Sequence, residues 1–212
     1  MRAPKHAVSV AAVVLAVLAA SQVAPFVAGA HAQDVRPRMA SNTPRLQLFQ
    51  GDGRNFMLVD PLFYEIKRTG KTITVPAGFV TDFASVPWYA RSLISVLGRH
   101  SIPAIVHDYL YWEQQCTRDQ ADDILREAMS EYSSSWRDQI AVDYAVKYGA
   151  QSAWDQNKAD RKTGYIRVLK GGNQNIPLNV DWDAYRQQLF KQHATEPPLR
   201  AGTPDYCVLP AK

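Results

Sequence analysis

Short alternating runs of apolar and polar residues fill residues 45–80 and predict β-strands. The runs cover residues 46–49, 56–59, 62–67 and 72–75. Turn signals separate them, among them Gly51-Asp52-Gly53 and Thr69-Gly70-Lys71. Because a period of two places the apolar side chains on one face, and short turns join antiparallel neighbours, we expect a small N-terminal antiparallel sheet.

The apolar positions change to helical spacing in the second half of the chain. We expect helices over residues 88–97, 101–114, 117–132 and 136–154. Thr117 and Gln120 have the spacing of a capping box, which marks the start of the third helix. A single apolar stripe, interpreted as core, runs along the fourth helix and consists of Trp136, Ile140, Tyr144 and Tyr148. The pattern therefore predicts an α+β fold, a sheet followed by a helical bundle.

Polar segments flank this predicted core. Residues 33–44 contain two prolines and are expected to form a flexible lead-in. From Lys158 onward the chain is polar, with a Gly-Gly pair, several prolines and one short helical pattern over residues 182–193. We expect an α+β core domain over residues 45–157 and a loop-rich C-terminal extension with a short helix over residues 158–212.

The first 32 residues have the three parts of a secretory signal peptide. Arg2 and Lys5 precede an apolar run over residues 7–20, and Ala30-His31-Ala32 is a small-x-small cleavage pattern. An uncleaved membrane anchor is the alternative, but the run is short for a span of about 20 residues. No later run is long and apolar enough to span. We expect a single-domain mature protein, periplasmic or secreted, without a transmembrane segment.

The charge balance argues against a nucleic-acid partner. The chain has 24 basic and 20 acidic residues, a net charge of +4. Removing Arg2 and Lys5 with the leader leaves 22 minus 20, or +2. Nucleic-acid binding typically needs a dense basic stripe, and none is present.

Export also changes the interpretation of the two cysteines, Cys116 and Cys207. In an oxidising compartment we expect them to form one disulfide, although two free thiols remain the alternative. The bond would close a loop of about 90 residues and contribute about 3–5 kcal/mol in the chain-entropy model.

Candidate chemistry concentrates around His107. On a helix His107 and Tyr111 are four apart and share a face, and an antiparallel neighbour can bring Asp122 against both. A carboxylate that accepts from one imidazole nitrogen leaves the other as a general base against an ester or amide. Asp108, on the neighbouring face, and Asp82 are candidate ligands of a hard cation such as Ca²⁺.

The same residues have a purely structural interpretation. Histidine, aspartate and tyrosine among aromatic neighbours can form a hydrogen-bonded core network. Asp82 is equally placed to cap a helix that starts near Pro87. A third possibility is a metal-dependent peptidoglycan amidase that uses Asp82, His107 and Asp108.

Three motifs in order resemble one protein family. They are VPAGFVTDFASVP over residues 75–87, HDYLY over residues 107–111, and Ala121-Asp122 with Met129. Together they resemble domain-of-unknown-function family 1353 (DUF1353) of bacteria and phages, over roughly residues 55–132. The family implies no settled activity.

A looser resemblance concerns only the predicted helix pair. His-Asp-x-x-Tyr followed by Ala-Asp is similar to the catalytic helices of phospholipase A2 enzymes. It implies His107 as general base, Asp108 as Ca²⁺ ligand, Asp122 orienting His107, and Tyr111 supporting Asp122. The glycine-rich calcium loop of those enzymes has no counterpart here. Our leading expectation is an exported hydrolase acting on lipid or cell envelope, with a non-catalytic envelope or interaction protein as the competing class.

Overall fold

The computed structural model describes residues 43–83, 101–132 and 136–211, and it gives side-chain positions for all of these except residues 136–149. The predicted signal peptide, most of the lead-in and the predicted helix over residues 88–97 lie outside the described residues. Small antiparallel sheets precede the helices, so the predicted α+β class is confirmed.

The strands form two small sheets where a single one was expected. The strands are β1 (Leu46–Leu48), β2 (Phe56–Leu58), β3 (Leu62–Ile66), β4 (Lys71–Val75) and β5 (Val80–Thr81). The order β1-β2-β5 makes one sheet and the β3-β4 hairpin makes the other, with every pair antiparallel. Strand β5 has only two residues, too few to show a period of two in the sequence.

The β3-β4 hairpin follows directly from its alternating sequence. Tyr64 lies opposite Ile73, and both are buried on the face that meets the helices. At the turn the backbone N–H groups of Thr69 and Gly70 donate to the carbonyl of Ile66. Gly70 has φ = +67°, a conformation that glycine adopts without steric cost, so the predicted turn has its physical basis here.

The helices that the structure describes are α1 (Ser101–Glu113), α2 (Arg118–Tyr132), α3 (Trp136–Thr163) and α4 (Trp182–Lys191). Helix α3 continues past the predicted end at residue 154, so Lys158 lies inside it. Polar residues do not stop a helix, and Gln156 donates to Asp160 across one turn at 2.7 Å. Gly164, at φ = +96°, follows its last residue.

A short turn returns the chain from α1 to α2. The predicted capping box is present: the backbone N–H of Thr117 donates to Gln120 Oε1 at 2.9 Å, and that of Gln120 donates to Thr117 Oγ1 at 3.2 Å. These two bonds satisfy N–H groups that the first helical turn leaves without partners. The turn and cap together lay α2 back along α1.

The extension packs against the three-stranded sheet. The backbone N–H of Val80 donates to the carbonyl of Arg167, and Phe79 forms an isolated bridge with Val168. Phe49 packs edge-on against Trp182 of α4, at 5.3 Å between ring centroids. The segment after α3 therefore completes a second apolar cluster beside the main core.

Within the described part of the chain, no helix combines the length and apolar character that crossing a membrane requires.

Asp52 links the turn between β1 and β2 to helix α4 through hydrogen bonds. Its carboxylate accepts from the backbone N–H groups of Arg54, Asn55 and Trp182 at 2.8–3.0 Å. Burial alone would raise the pKa of Asp52, but these hydrogen bonds outweigh it and lower the pKa below its usual value. The native state therefore favours the ionised carboxylate.

Replacing Asp52 with asparagine is expected to lower the free energy of unfolding at pH 7 by about 1–3 kcal/mol. Because the native pKa is depressed, the stabilisation is complete above about pH 4 and is lost as the pH falls through the native value. Urea unfolding of Asp52→Asn and wild type at pH 7 and at pH 3 measures this. Asp183→Asn, at an exposed carboxylate of α4, is the matched control. Equal stability of wild type and Asp52→Asn at pH 7 would contradict the expectation.

Candidate functional site

Helices α1 and α2 bring three of the predicted site residues together. His107 and Tyr111, one turn apart on α1, both face Asp122 on α2. His107 Nε2 lies 3.0 Å from Asp122 Oδ1, and the Tyr111 hydroxyl donates to the same oxygen at 2.5 Å. The two rings are in contact, with centroids 4.1 Å apart. The contacts expected from the helical spacing are therefore present.

A fourth residue, Arg118, completes this group. It lies four residues before Asp122 on α2, and its guanidinium lies 3.4 Å from Asp122 Oδ2. Asp122 thus contacts three donor groups, with a histidine and a tyrosine on one oxygen and an arginine on the other. An aspartate held in this way keeps a defined orientation toward the imidazole. We call these four residues the His107 network.

The network lies in the protein interior. His107 and Asp122 are each 2% exposed and Tyr111 is 3% exposed. The Tyr111 ring packs edge-on against Trp154 of α3, at 5.1 Å between centroids. Burial, together with the bond to Asp122, raises the pKa of the Tyr111 hydroxyl. Tyr111 therefore stays protonated and acts as a hydrogen-bond donor to the carboxylate.

Asp108 meets the end of strand β5. Its carboxylate accepts from the Thr81 hydroxyl at 2.5 Å, and Thr81 Oγ1 in turn accepts from the backbone N–H of Phe83 at 3.1 Å. Phe83 is buried and has φ = +54°, an uncommon conformation for a non-glycine residue. The described part of the first motif, which ends at Phe83, thus contacts the residue that follows His107.

Asp82 is held by a different part of the chain. Its carboxylate lies 3.3 Å from the guanidinium of Arg167, in the extension, and about a third of its side chain is exposed. Among the described residues there is no cluster of three His, Cys, Asp or Glu side chains that could hold a metal ion.

The sequence interpretation missed three partners of the predicted residues. Arg118 had a readable signal, because it is four positions from Asp122 on a predicted helix. Thr81 stands in the first motif beside Asp82, but nothing in the sequence singles it out. Arg167 carried no signal, because it is 85 positions from Asp82 and its contact depends on how the extension folds back.

The predicted disulfide is present. Cys116, in the turn between α1 and α2, is bonded to Cys207 near the C-terminus, with 5.3 Å between the Cα atoms. The bond joins the C-terminal tail to the turn that aligns the two helices of the His107 network.

The three motifs and both network helices lie within one family match. Residues 56–146 match the model of DUF1353, described as a protein of unknown function. The chain resembles DUF1353, as its three motifs predicted. The DUF1353 segment contains all four residues of the His107 network, whereas Arg167 and Cys207 lie beyond it. The looser similarity to phospholipase A2 enzymes has no support from the family match. No curated protein and no solved structure matches the chain.

Proposed function

We propose that this protein is a hydrolase of an ester or amide, with His107 as general base and Asp122 as the residue that positions it. One observation carries the proposal: Asp122 Oδ1 lies 3.0 Å from His107 Nε2. A carboxylate in that position favours the tautomer with the proton on Nε2, so the lone pair is on Nδ1. A histidine that is oriented by an acid is the recurring arrangement of general-base catalysis.

The proposed reaction needs only water and the substrate. His107 Nδ1 takes a proton from water while the oxygen adds to the substrate carbonyl carbon. The tetrahedral intermediate then collapses, the bond to the leaving oxygen or nitrogen breaks, and His107 returns the proton to the leaving group. The imidazolium that forms in between is stabilised by Asp122.

Tyr111 and Arg118 act on Asp122 in this proposal. Tyr111 donates to Oδ1 at 2.5 Å and Arg118 approaches Oδ2 at 3.4 Å. Both contacts restrict the rotation of the carboxylate. Neither residue needs to touch the substrate, so both are positioning residues.

The sequence predicts Asp108 and Asp82 as ligands of Ca²⁺. Such an ion would polarise the substrate carbonyl. The carboxylates present do not form a ready ligand set, because Asp108 accepts from Thr81 and Asp82 is paired with Arg167. No step is therefore assigned to the metal, and the same contacts weigh against the peptidoglycan amidase that would use both aspartates. The hydrolysis assay proposed below is therefore run both with and without Ca²⁺.

We further propose that the protein acts outside the cytoplasm, on lipid or another component of the cell envelope. The leader-like residues 1–32 and the disulfide support export. Lipid esters and peptidoglycan amides are the carbonyl substrates that an exported hydrolase meets there.

A second candidate function is favoured by the burial of the network. Because His107, Asp108 and Asp122 are each 5% exposed or less, the group also fits a structural hydrogen-bonded core of a non-catalytic envelope or interaction protein. In that case the residues stabilise the α1-α2 pair and do no chemistry.

The substitution His107→Gln separates the two candidates. Glutamine retains an N–H donor for Asp122 but lacks a basic nitrogen. We expect wild type to hydrolyse phospholipid vesicles or peptidoglycan, measured as released fatty acid or amine with and without Ca²⁺. His107→Gln should reduce turnover at least about 10²-fold while the unfolding midpoint changes little.

His193→Gln is the control, because His193 is exposed after α4 and far from the network in sequence. It should retain wild-type turnover. Equal turnover by wild type and His107→Gln, or no turnover by wild type on either substrate, would refute the hydrolase and leave the structural network.

A further inference from the structure

A second site lies on the other side of α1. A cavity of about 210 Å³ opens between α1 and the tail residues 196–206. Helix α1 contributes Tyr109, Trp112 and Glu113 to its wall. These positions share one helical face, roughly opposite His107, because each residue advances about 100° around the axis. The cavity is therefore distinct from the His107 network.

A buried carboxylate forms part of the cavity wall. Glu113 is 3% exposed, and the Tyr206 hydroxyl donates to its Oε1 at 2.8 Å. The Tyr109 hydroxyl is near enough to this carboxylate to influence its pKa. Burial raises the pKa of Glu113, and the two tyrosines and nearby arginines oppose that shift. A carboxylate has about four lone-pair positions, so the bond from Tyr206 leaves capacity for a ligand.

Two further polar side chains of the wall donate to groups of the tail. The Trp112 indole N–H donates to Glu196 at 2.7 Å, and the Gln115 amide donates to the backbone carbonyls of Arg200 and Gly202. The two carboxylates and the two phenol oxygens of the wall have lone pairs that can accept further hydrogen bonds. A ligand that satisfies them must bring hydrogen-bond donors.

The rest of the lining is apolar and aromatic. Three aromatic rings line the cavity, those of Tyr109, Trp112 and Tyr206. The lining also includes Pro197, Pro198 and Leu199. Aromatic faces attract cations and pack against flat apolar groups. We propose that this cavity binds a small organic ammonium ion that carries an apolar group, with the ammonium directed toward Glu113.

Arg200 leads to a more specific prediction about the direction in which the affinity for an amine changes. It is the cation among the lining residues, it is exposed, and it is near enough to Glu113 to lower the pKa of that carboxyl. Its charge repels a bound ammonium ion across the opening. Removing it should therefore strengthen the binding of a simple amine, whereas removing the Glu113 charge should weaken it.

The disulfide joins the tail that lines the cavity to the turn after α1. Residues 196–200 and Tyr206 belong to the tail that Cys207 joins to Cys116. All of them lie outside the DUF1353 segment, so this cavity combines a family helix with the particular extension of this chain.

Calorimetric titration with 2-phenylethylammonium chloride tests the proposal, with 2-phenylethanol as the uncharged probe of similar shape. We expect wild type to bind the amine at least about tenfold more tightly than the alcohol, because a charge-assisted hydrogen bond to a buried carboxylate is stronger than a neutral one. Glu113→Gln should weaken amine binding about tenfold or more. Arg200→Ala should strengthen it about two- to fivefold, as for other exposed charges.

Two surface variants keep the test valid if Glu113→Gln does not fold. Arg200→Ala alters an exposed side chain, and Leu199→Trp fills the opening from the tail, so both should retain the wild-type melting temperature. Leu199→Trp should abolish binding of the amine. Absence of binding by wild type, equal affinity for amine and alcohol, or amine binding unaltered by Leu199→Trp and Arg200→Ala would overturn the proposal.

Discussion

Replacing Cys116 and Cys207 with alanine is expected to lower the free energy of unfolding by about 2–5 kcal/mol. The bond spans 91 positions, so its loss frees a long loop in the unfolded state. The native tail also loses its covalent anchor beside the Tyr206-Glu113 hydrogen bond. An effect of this size is a large share of the total stability of an ordinary domain.

Urea unfolding of the double variant measures this loss. Wild type unfolded in the presence of dithiothreitol is the matched control, since it lacks the same bond without a change of sequence. Both should show the same lowered midpoint relative to oxidised wild type. An unchanged midpoint in the double variant would show that the bond contributes nothing to stability.

Asp122→Ala should have an effect of comparable size, a loss of about 3–5 kcal/mol. The substitution leaves the Tyr111 hydroxyl and the His107 ring without their acceptor in the interior, and each unsatisfied buried group costs about 1–3 kcal/mol. It also removes the carboxylate opposite Arg118, which is partly exposed and can turn to water. The cost therefore comes mainly from the two buried donors.

The neighbouring residue provides a matched control. Asp123 is on the same helix but exposed, and it forms an ion pair with Arg126 at 2.8 Å. Asp123→Ala should cost less than about 1 kcal/mol, as exposed ion pairs usually do. Thermal unfolding of the two variants compares them directly. Similar losses in both would mean that the His107 network does not stabilise α1 against α2.

The stability of Asp122→Ala does not decide the function, because a catalytic and a structural network would both lose it. The function is decided by turnover in His107→Gln, which retains a donor to Asp122. The cavity beside Glu113 is tested by ligand binding, so its outcome is independent of whether the protein is a hydrolase.

Much of the fold could be predicted from local pattern. The β3-β4 hairpin and helices α1 and α2 begin and end close to the predicted positions, because their signals lie within a few neighbouring residues: alternation, a glycine turn and the Thr117-Gln120 cap. The end of α3 was not predicted, because the polar residues after Trp154 form exposed helical turns that carry no apolar stripe. The pairing of β5 with β2 was not predicted either, because a strand of two residues has no recognisable pattern.

The contacts of the candidate site also divide into those that local sequence pattern predicts and those that it does not. The His107-Tyr111-Asp122 group was predictable, since helical spacing and one short turn nearly determine which side chains meet. Arg118 could have been added from its spacing to Asp122. The pairing of Asp82 with Arg167 could not, because it depends on the path of a segment 85 positions away.

By itself, the sequence determined the α+β class, the DUF1353 resemblance, the cysteine pair and the identity of the three network residues on α1 and α2. Only the tertiary structure decided that the network is buried, that Asp108 is bonded to Thr81, and that the tail and α1 enclose a cavity around Glu113. Local elements follow from short-range periodicity and capping. Burial and cavities follow from packing between segments that are distant in sequence, and no local pattern encodes that packing.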